Sequence, residues 1–263
     1  MAHQLDHVVF NTRFETDDAA HLFEGLGFQL TPRGFHPTLG SINHLMVFEH
    51  DYLELIGLPP GGDIVRQELI DSPVGINGLV FASSDAAATR DDVVGRGFEA
   101  QPVQNFSRPL VIDGAEHEAR FAAVRLALNS FAAGRVYFCQ HKTPELIWRR
   151  EWMDHPNGAT GIAELTIASA DPLATGAHYA RLGSIGGNFA LTVLDAPALA
   201  DRFGELAGCG ADRPERFAAV TVRSRDPQIA AQRAATLGLP HSAAKGRVVV
   251  ALPALGSLIE FIA

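Results

Sequence analysis

Four short apolar runs, rich in β-branched and aromatic residues, open four similar stretches of the chain, and each is followed by a helix-like segment. They are Leu5-Asp6-His7-Val8-Val9-Phe10, Gly78-Leu79-Val80-Phe81, Glu164-Leu165-Thr166-Ile167 and Ala219-Val220-Thr221-Val222. Such runs read as strands. In units two to four an aspartate follows, at Asp85, Asp171 and Asp226, and a glycine, Gly97, Gly183 or Gly238, stands at the same interval beyond each. Aspartate caps a helix N-terminus by accepting hydrogen bonds from free N–H groups. Pro172 and Pro227 suit the first helical position, and glycine supplies the left-handed residue that ends a helix of about three turns. Unit one varies this theme, with Thr16 or Asp17 as cap and Gly27 as stop.

Strand-like sequence returns after each helix. Unit one offers 28–31, 43–48 and 51–57; unit two offers 99–104, 120–128 and 134–141; unit four offers 240–242, 246–251 and 257–262. Unit three keeps only 188–194. One such unit has a single oily sheet face that it cannot cover alone, so units must pair. The pattern predicts an α+β fold of four βαβββ-type modules, the third truncated, arranged as two paired, curved mixed sheets with helices outside. Residues 1–150 would hold the N-terminal pair and residues 151–263 the degenerate C-terminal pair. The segment 142–161 breaks the repeat and connects the pairs, and its two tryptophans, Trp148 and Trp152, are expected to pack one pair against the other.

A chain of 263 residues with 47% hydrophobic content can bury a sizeable core. The formal charge of −9 argues against nucleic acid as a partner, because an acidic surface repels phosphate backbones. The two cysteines, Cys139 and Cys209, are too few for a disulfide framework and too far apart for a zinc motif. The opening residues show no basic-then-apolar leader, and no apolar run approaches the roughly 20 residues that span a bilayer. A soluble cytoplasmic protein with no membrane partner is the expectation.

Candidate chemistry begins with His7 in the first apolar run and Glu54 in Tyr52-Leu53-Glu54-Leu55-Ile56-Gly57. An ionisable side chain in an oily run costs free energy unless it is paired or bound. The alternative for His7 is a hydrogen-bonded core histidine, and for Glu54 an exposed-face residue, although its spacing from Tyr52 and Ile56 puts all three on one face. Even alone, a His–Glu pair can do acid–base work. Phosphate-loop, His-Glu-x-x-His and Gly-x-Ser-x-Gly patterns are absent from the sequence.

Leu5-Asp6-His7-Val8-Val9 and Tyr52-Leu53-Glu54-Leu55-Ile56-Gly57, set in this repeat, resemble the vicinal-oxygen-chelate superfamily of glyoxalase I, extradiol dioxygenases and the fosfomycin- and bleomycin-resistance proteins. The chain looks most like its four-module glyoxalase-like domain proteins, with Thr31-Pro32-Arg33-Gly34, Cys139 to Trp148 and His155-Pro156-Asn157-Gly158-Ala159 as further matching stretches. The resemblance implies a metal-assisted lyase, isomerase or dioxygenase acting on a substrate with vicinal oxygens. His7 and Glu54 would be catalytic ligands, completed by His141 or Gln140, of which strand alternation lets only one face inward. Two histidines and a carboxylate suit a divalent ion such as Fe, Mn, Zn or Ni. His44, Phe48, Tyr52 and Tyr137 would line the substrate pocket. Gly78, in place of a second-module histidine, is the departure from this pattern. It favours the alternative, a metal-free sequestration protein of the bleomycin-resistance type. Of Arg120 and Arg125, one would bind a substrate carboxylate or both would form surface ion pairs, the second being preferred. The superfamily analogy also implies a homodimer.

Overall fold

A computed structural model of the chain describes residues 2–64 and 66–263. Eight strands form the first sheet: β1 (Leu5–Arg13), β2 (Gly34–His36), β3 (Ser41–Val47), β4 (Tyr52–Gly57), β5 (Gly75–Ala82), β6 (Gln104–Ile112), β7 (Ala115–Arg125) and β8 (Arg135–His141). Their order is β2-β3-β4-β1-β5-β8-β7-β6. Six strands form the second: β9 (Ala159–Ala168), β10 (Ala190–Leu194), β11 (Arg216–Ser224), β12 (His241–Ala244), β13 (Arg247–Leu252) and β14 (Ser257–Ile262), in the order β10-β9-β11-β14-β13-β12. The fold is α+β, two mixed curved sheets with the helices outside.

Each sheet is two modules joined through their first strands. β1 runs antiparallel to β5, and β9 antiparallel to β11, while the last strand of each complete module lies parallel to its first. The helices α1 (Thr16–Gly25), α3 (Ala86–Gly95), α4 (Pro172–Ala180) and α6 (Pro227–Thr236) follow these first strands; α2 (Gln67–Asp71) and α5 (Ala196–Phe203) lie in connections. Asp85, Asp171 and Asp226 cap as their sequence positions predict, accepting from Ala87 and Ala88, Ala174 and Gln228 backbone N–H groups. Gly27, Gly97, Gly183 and Gly238 all take positive φ. Unit one differs. Glu15 is the cap position, with no side-chain cap bond, and Thr16 turns its hydroxyl to Thr12 instead.

Alternation sorts the first sheet into two faces. Val8, Phe10, Leu53, Leu55, Leu79, Phe81, Val136 and Phe138 face the main core, which continues beneath the second sheet through Leu165, Val220 and Ile259. Val9, Tyr52, Ile56, Val80, Phe121 and Cys139 face the other way, into a separate cluster. Trp148 and Trp152 pack against this second cluster. That corrects their expected role: they cover the open face of the first sheet and do not join the pairs. His155 and Asn157 are among the residues that do join them. The His155 ring accepts from Gln29 N–H and bonds the Val47 carbonyl, while Asn157 donates to the Leu26 carbonyl from its side chain and to the Gly27 carbonyl from its backbone.

Two expected strands are displaced. Residues 28–31 and 99–104 are largely irregular, and the pairing is made by β2 and β6 further along. These two lie at opposite ends of the strand order yet approach each other. A Cβ on Gly34 would stand 2.1 Å from the Arg108 guanidinium and 2.2 Å from the Asn43 amide oxygen, so a side chain there would displace both groups.

Candidate active site

A break in strand pairing brings the two most reactive neighbours of the chain onto one face. Leu5 pairs with Phe81 and His7 with Val80, so Asp6 is an extra residue on β1. Such a bulge re-aims a side chain that alternation would send to the other face. Asp6 Oδ1 consequently lies 2.5 Å from His7 Nδ1 and 3.1 Å from His141 Nε2. Burial alone would raise the Asp6 pKa, but His141 and His7 outweigh it and hold the carboxyl well below its usual range. An ionised Asp6 accepts a hydrogen bond from His7 Nδ1–H, which fixes the ring's tautomer and orientation.

The other His7 nitrogen faces the cleft. Nε2 is 3.3 Å from Tyr137 Oη and 3.5 Å from Glu54 Oε2, and the ring stacks on Tyr52 at 4.3 Å between centroids. Burial pushes the Tyr137 hydroxyl pKa upward, so it stays protonated and donates. Glu54 Oε1 accepts from the Asn43 amide at 2.6 Å. His7 and Glu54 are 3% and 7% exposed, so both interactions lie in a poorly solvated setting where they count for more than in water. The cleft is lined by these residues, by Phe106 and Phe121, and by Arg66, Arg108 and Arg125.

The remaining candidates divide. Tyr52 and Tyr137 line the cleft; His44 and Phe48 do not. His44 bonds the Thr31 carbonyl on the opposite face of β3, and Phe48 packs on His155 in the main core. Gln140 also points away, accepting from Ala86 N–H and donating to the Ser84 carbonyl. His141 takes the inward side, but its bond is to Asp6, at the Nδ1 edge of His7, whereas Glu54 stands at the Nε2 edge. Sequence reading missed Asp6, Asn43, Arg66 and Arg108 altogether, and it preferred a surface ion pair for Arg125. Arg125 instead faces the cleft beside the Phe106 and Tyr137 rings, with a bond to Gln104; Arg120 is exposed.

His7, Glu54 and His141 therefore do not converge on one point. The space of a second-module histidine is closed as well, since a Cβ on Gly78 would lie 2.8 Å from the Val9 Cβ. At the Nε2 edge a metal ion would meet one imidazole and one carboxylate already bonded to Asn43, among three arginines. That donor set does not fit a transition metal, which asks for three or more suitable ligands. A different group, Asp6, Cys139 and His141, brings one ligating atom each within 4.8 Å of one another. There Asp6 Oδ1 already bonds both histidines, and burial raises the Cys139 thiol pKa and keeps it protonated.

The comparisons with known proteins agree with this architecture. The glyoxalase-like domain family matches residues 5–183. The chain belongs to that family. Among solved structures, a hypothetical protein from Staphylococcus aureus superposes with a TM-score of 0.62 at 11% identity, over 98% of each chain. A mutant 4-hydroxymandelate synthase from Streptomyces coelicolor gives 0.61 at 12% identity, over 99% of this chain and 92% of that one. A xylose isomerase-like TIM barrel/4-hydroxyphenylpyruvate dioxygenase fusion protein gives 0.57 at 11%, over 100% of this chain and 49% of the other. At such identities the likeness is one of fold. No curated protein matches the sequence. Among the described residues, no helix is long and apolar enough to cross a membrane.

Proposed function

We propose that this glyoxalase-like protein is a small-molecule enzyme of the lyase or isomerase kind, in which His7 moves a proton to and from the substrate. One observation carries this reading: His7 is held at Nδ1 by an ionised Asp6 and presents Nε2 to the cleft between Tyr137 and Glu54. Asp6 is the positioning residue. His7 Nε2 takes a proton from a carbon or oxygen acid seated in the cleft, and the two flanking carboxylates stabilise the imidazolium that results. Tyr137, kept protonated by burial, donates a hydrogen bond to a substrate oxygen on which charge develops. Enolisable carbonyl compounds with neighbouring oxygens suit this arrangement. Family membership supports a small-molecule site on this face, and so does the lining of the cleft.

A second reading, assistance by Fe, Mn, Zn or Ni in a dioxygenase or lyase, is favoured by the closeness of Asp6, Cys139 and His141. One experiment separates the two. Protein purified without chelator is assayed by NMR for solvent-deuterium exchange into a panel of such carbonyl compounds, before and after chelation. Exchange that survives chelation, falls in Asp6→Asn and disappears in His7→Asn supports the acid–base reading. Activity lost on chelation and restored by one of the four metals establishes the second. Tight binding with no exchange in either state leaves a sequestration protein.

A further inference from the structure

The cleft holds more positive charge than its own acids neutralise. Arg108 is 2% exposed, and its partner is a neutral one, the Asn43 amide oxygen at 3.2 Å. Arg125 bonds neutral Gln104 and lies 5.8 Å from both the Phe106 and Tyr137 ring centroids. Arg135 bonds Asn77 through Nε, and its buried Nη2 has no partner. Among the described residues no carboxylate pairs with any of these three, whereas Arg66 pairs with Glu68 at 2.7 Å. Among the described residues Glu54 is the one acid lining the cleft, and Glu68, already paired with Arg66, lines the compartment beside it. A second compartment, lined by Arg66, Arg125 and Arg135, shares Leu39, Arg66, Arg125 and Tyr137 with the first, so the cations form one continuous wall. His36 stands in the same field. Burial, then Arg108 and Arg66, lower its pKa to about 3, so it adds no charge of its own.

A buried guanidinium without a counter-ion is costly, and chains keep such groups where a ligand supplies the missing charge. We propose that the cleft binds a small organic anion, its carboxylate or phosphoryl oxygens held by Arg108 and Arg125 and its apolar part against Phe106, Phe121 and Tyr52. Guanidinium forks match both kinds of oxyanion bidentately. Seated this way, the anion fixes the rest of the molecule under His7 Nε2. The inference deepens the acid–base reading and rests on it for the reaction, though not for the binding.

The test uses three probes built on one ring: benzoate, phenylphosphonate and neutral benzamide, titrated calorimetrically into the full chain in low-salt, chloride-free buffer. Benzoate or phenylphosphonate is expected to bind while benzamide does not, and the tighter of the two tells which oxyanion the wall prefers. Arg108→Leu and Arg125→Leu should each weaken that binding about 30-fold or more, the usual loss when one partner of a buried charge pair goes. The titration reads binding and no turnover, so a failure of the catalytic reading leaves this result intact. Because Arg108→Leu removes an uncompensated charge, it should fold at least as stably as the wild type, which a melting curve checks. Absence of binding by either anion, equal binding of benzamide, or unchanged affinity in both arginine variants would overturn the proposal.

Discussion

The two sheets share a topology and differ in how their charges are settled. In the first, His7 and Glu54 face a cleft, and Arg108 and Arg125 have no acid partner among the described residues. In the second, the corresponding positions hold Glu164 and Glu260. Arg202 lies between them, 2.5 Å from Glu164 Oε1 and 2.6 Å from Glu260 Oε2, while Arg247 bonds Glu260 Oε1 at 2.5 Å and Thr221 bonds its Oε2 at 2.7 Å. Each carboxylate oxygen there already has a donor from the protein itself. The comparison teaches that this scaffold makes a site by leaving opposite charges unpaired with each other; pairing them makes a structural knot.

The largest effect should come from the settled end of the histidine. Asp6→Asn replaces an acceptor-only group with an amide that can present N–H to His7 Nδ1, and so favours the wrong tautomer. Turnover should fall about 10²-fold or more, with binding of substrate little changed. A kcat–KM analysis distinguishes this from a collapsed pocket, which would raise KM as well.

Charge removal should have opposite signs in the two sheets. Glu260→Ala strips two arginines and a threonine of their common partner and should destabilise by about 3 kcal/mol, reduced from the range for fully buried pairs because Arg202 is partly exposed. Arg108→Leu should cost nothing or stabilise. Urea denaturation of both variants checks the pair, and a loss of equal size in each would dissolve the contrast. Burial raises the Glu260 pKa, but Thr221 and the two arginines outweigh it, so the net shift is downward. Its contribution is therefore present above the ordinary carboxylate pKa and lost as pH falls through the depressed value. Acid denaturation should flatten in the Glu260 variant.

Much of the architecture was legible because it rests on local rules. The recurring Asp-to-Gly interval marked three helices, and the apolar runs marked both central strand pairs. Glu54, Tyr52 and Ile56 share a face, as alternation requires. Asp6 was hidden because the same rule sends the neighbour of His7 to the opposite face; a bulge reverses that, and bulges are set by pairing across to β5. The signal that was available is the Asp6-His7 dipeptide itself, two ionisable residues side by side in an oily run. Arg108 was hidden with its strand. β6 reads as polar and contains Pro109, which argues against a central strand, yet β6 is an edge strand, where proline is tolerated. His36 was hidden for a similar reason, since β2 is the other edge and only three residues long.

The smallest effect is expected where the two sheets meet, and it has a direction in pH. Asp51 Oδ1 accepts from the Ile162 N–H at 3.0 Å, tying the turn before β4 to β9. Burial raises the Asp51 pKa to about 7, against the favourable pull of that N–H and of Arg223. A carboxyl with a raised folded-state pKa binds its proton more tightly in the native state, so its contribution to stability declines as pH rises from about 4 to about 7. His155, a few residues from β9, has the opposite slope. Burial lowers its pKa to about 4, so its contribution is full above about 6.5 and is lost as pH falls toward 4. Between pH 4 and 7 the two groups therefore oppose each other across the same junction. Asp51→Asn keeps the acceptor for Ile162 and removes the titration. It should raise stability less at pH 5 than at pH 8, where the gain is no more than about 2 kcal/mol given the partial exposure of the group. The variant should then show the rising slope of His155 alone, and a gain at pH 5 equal to that at pH 8 would mean that the proton on Asp51 has no part in holding the sheets together.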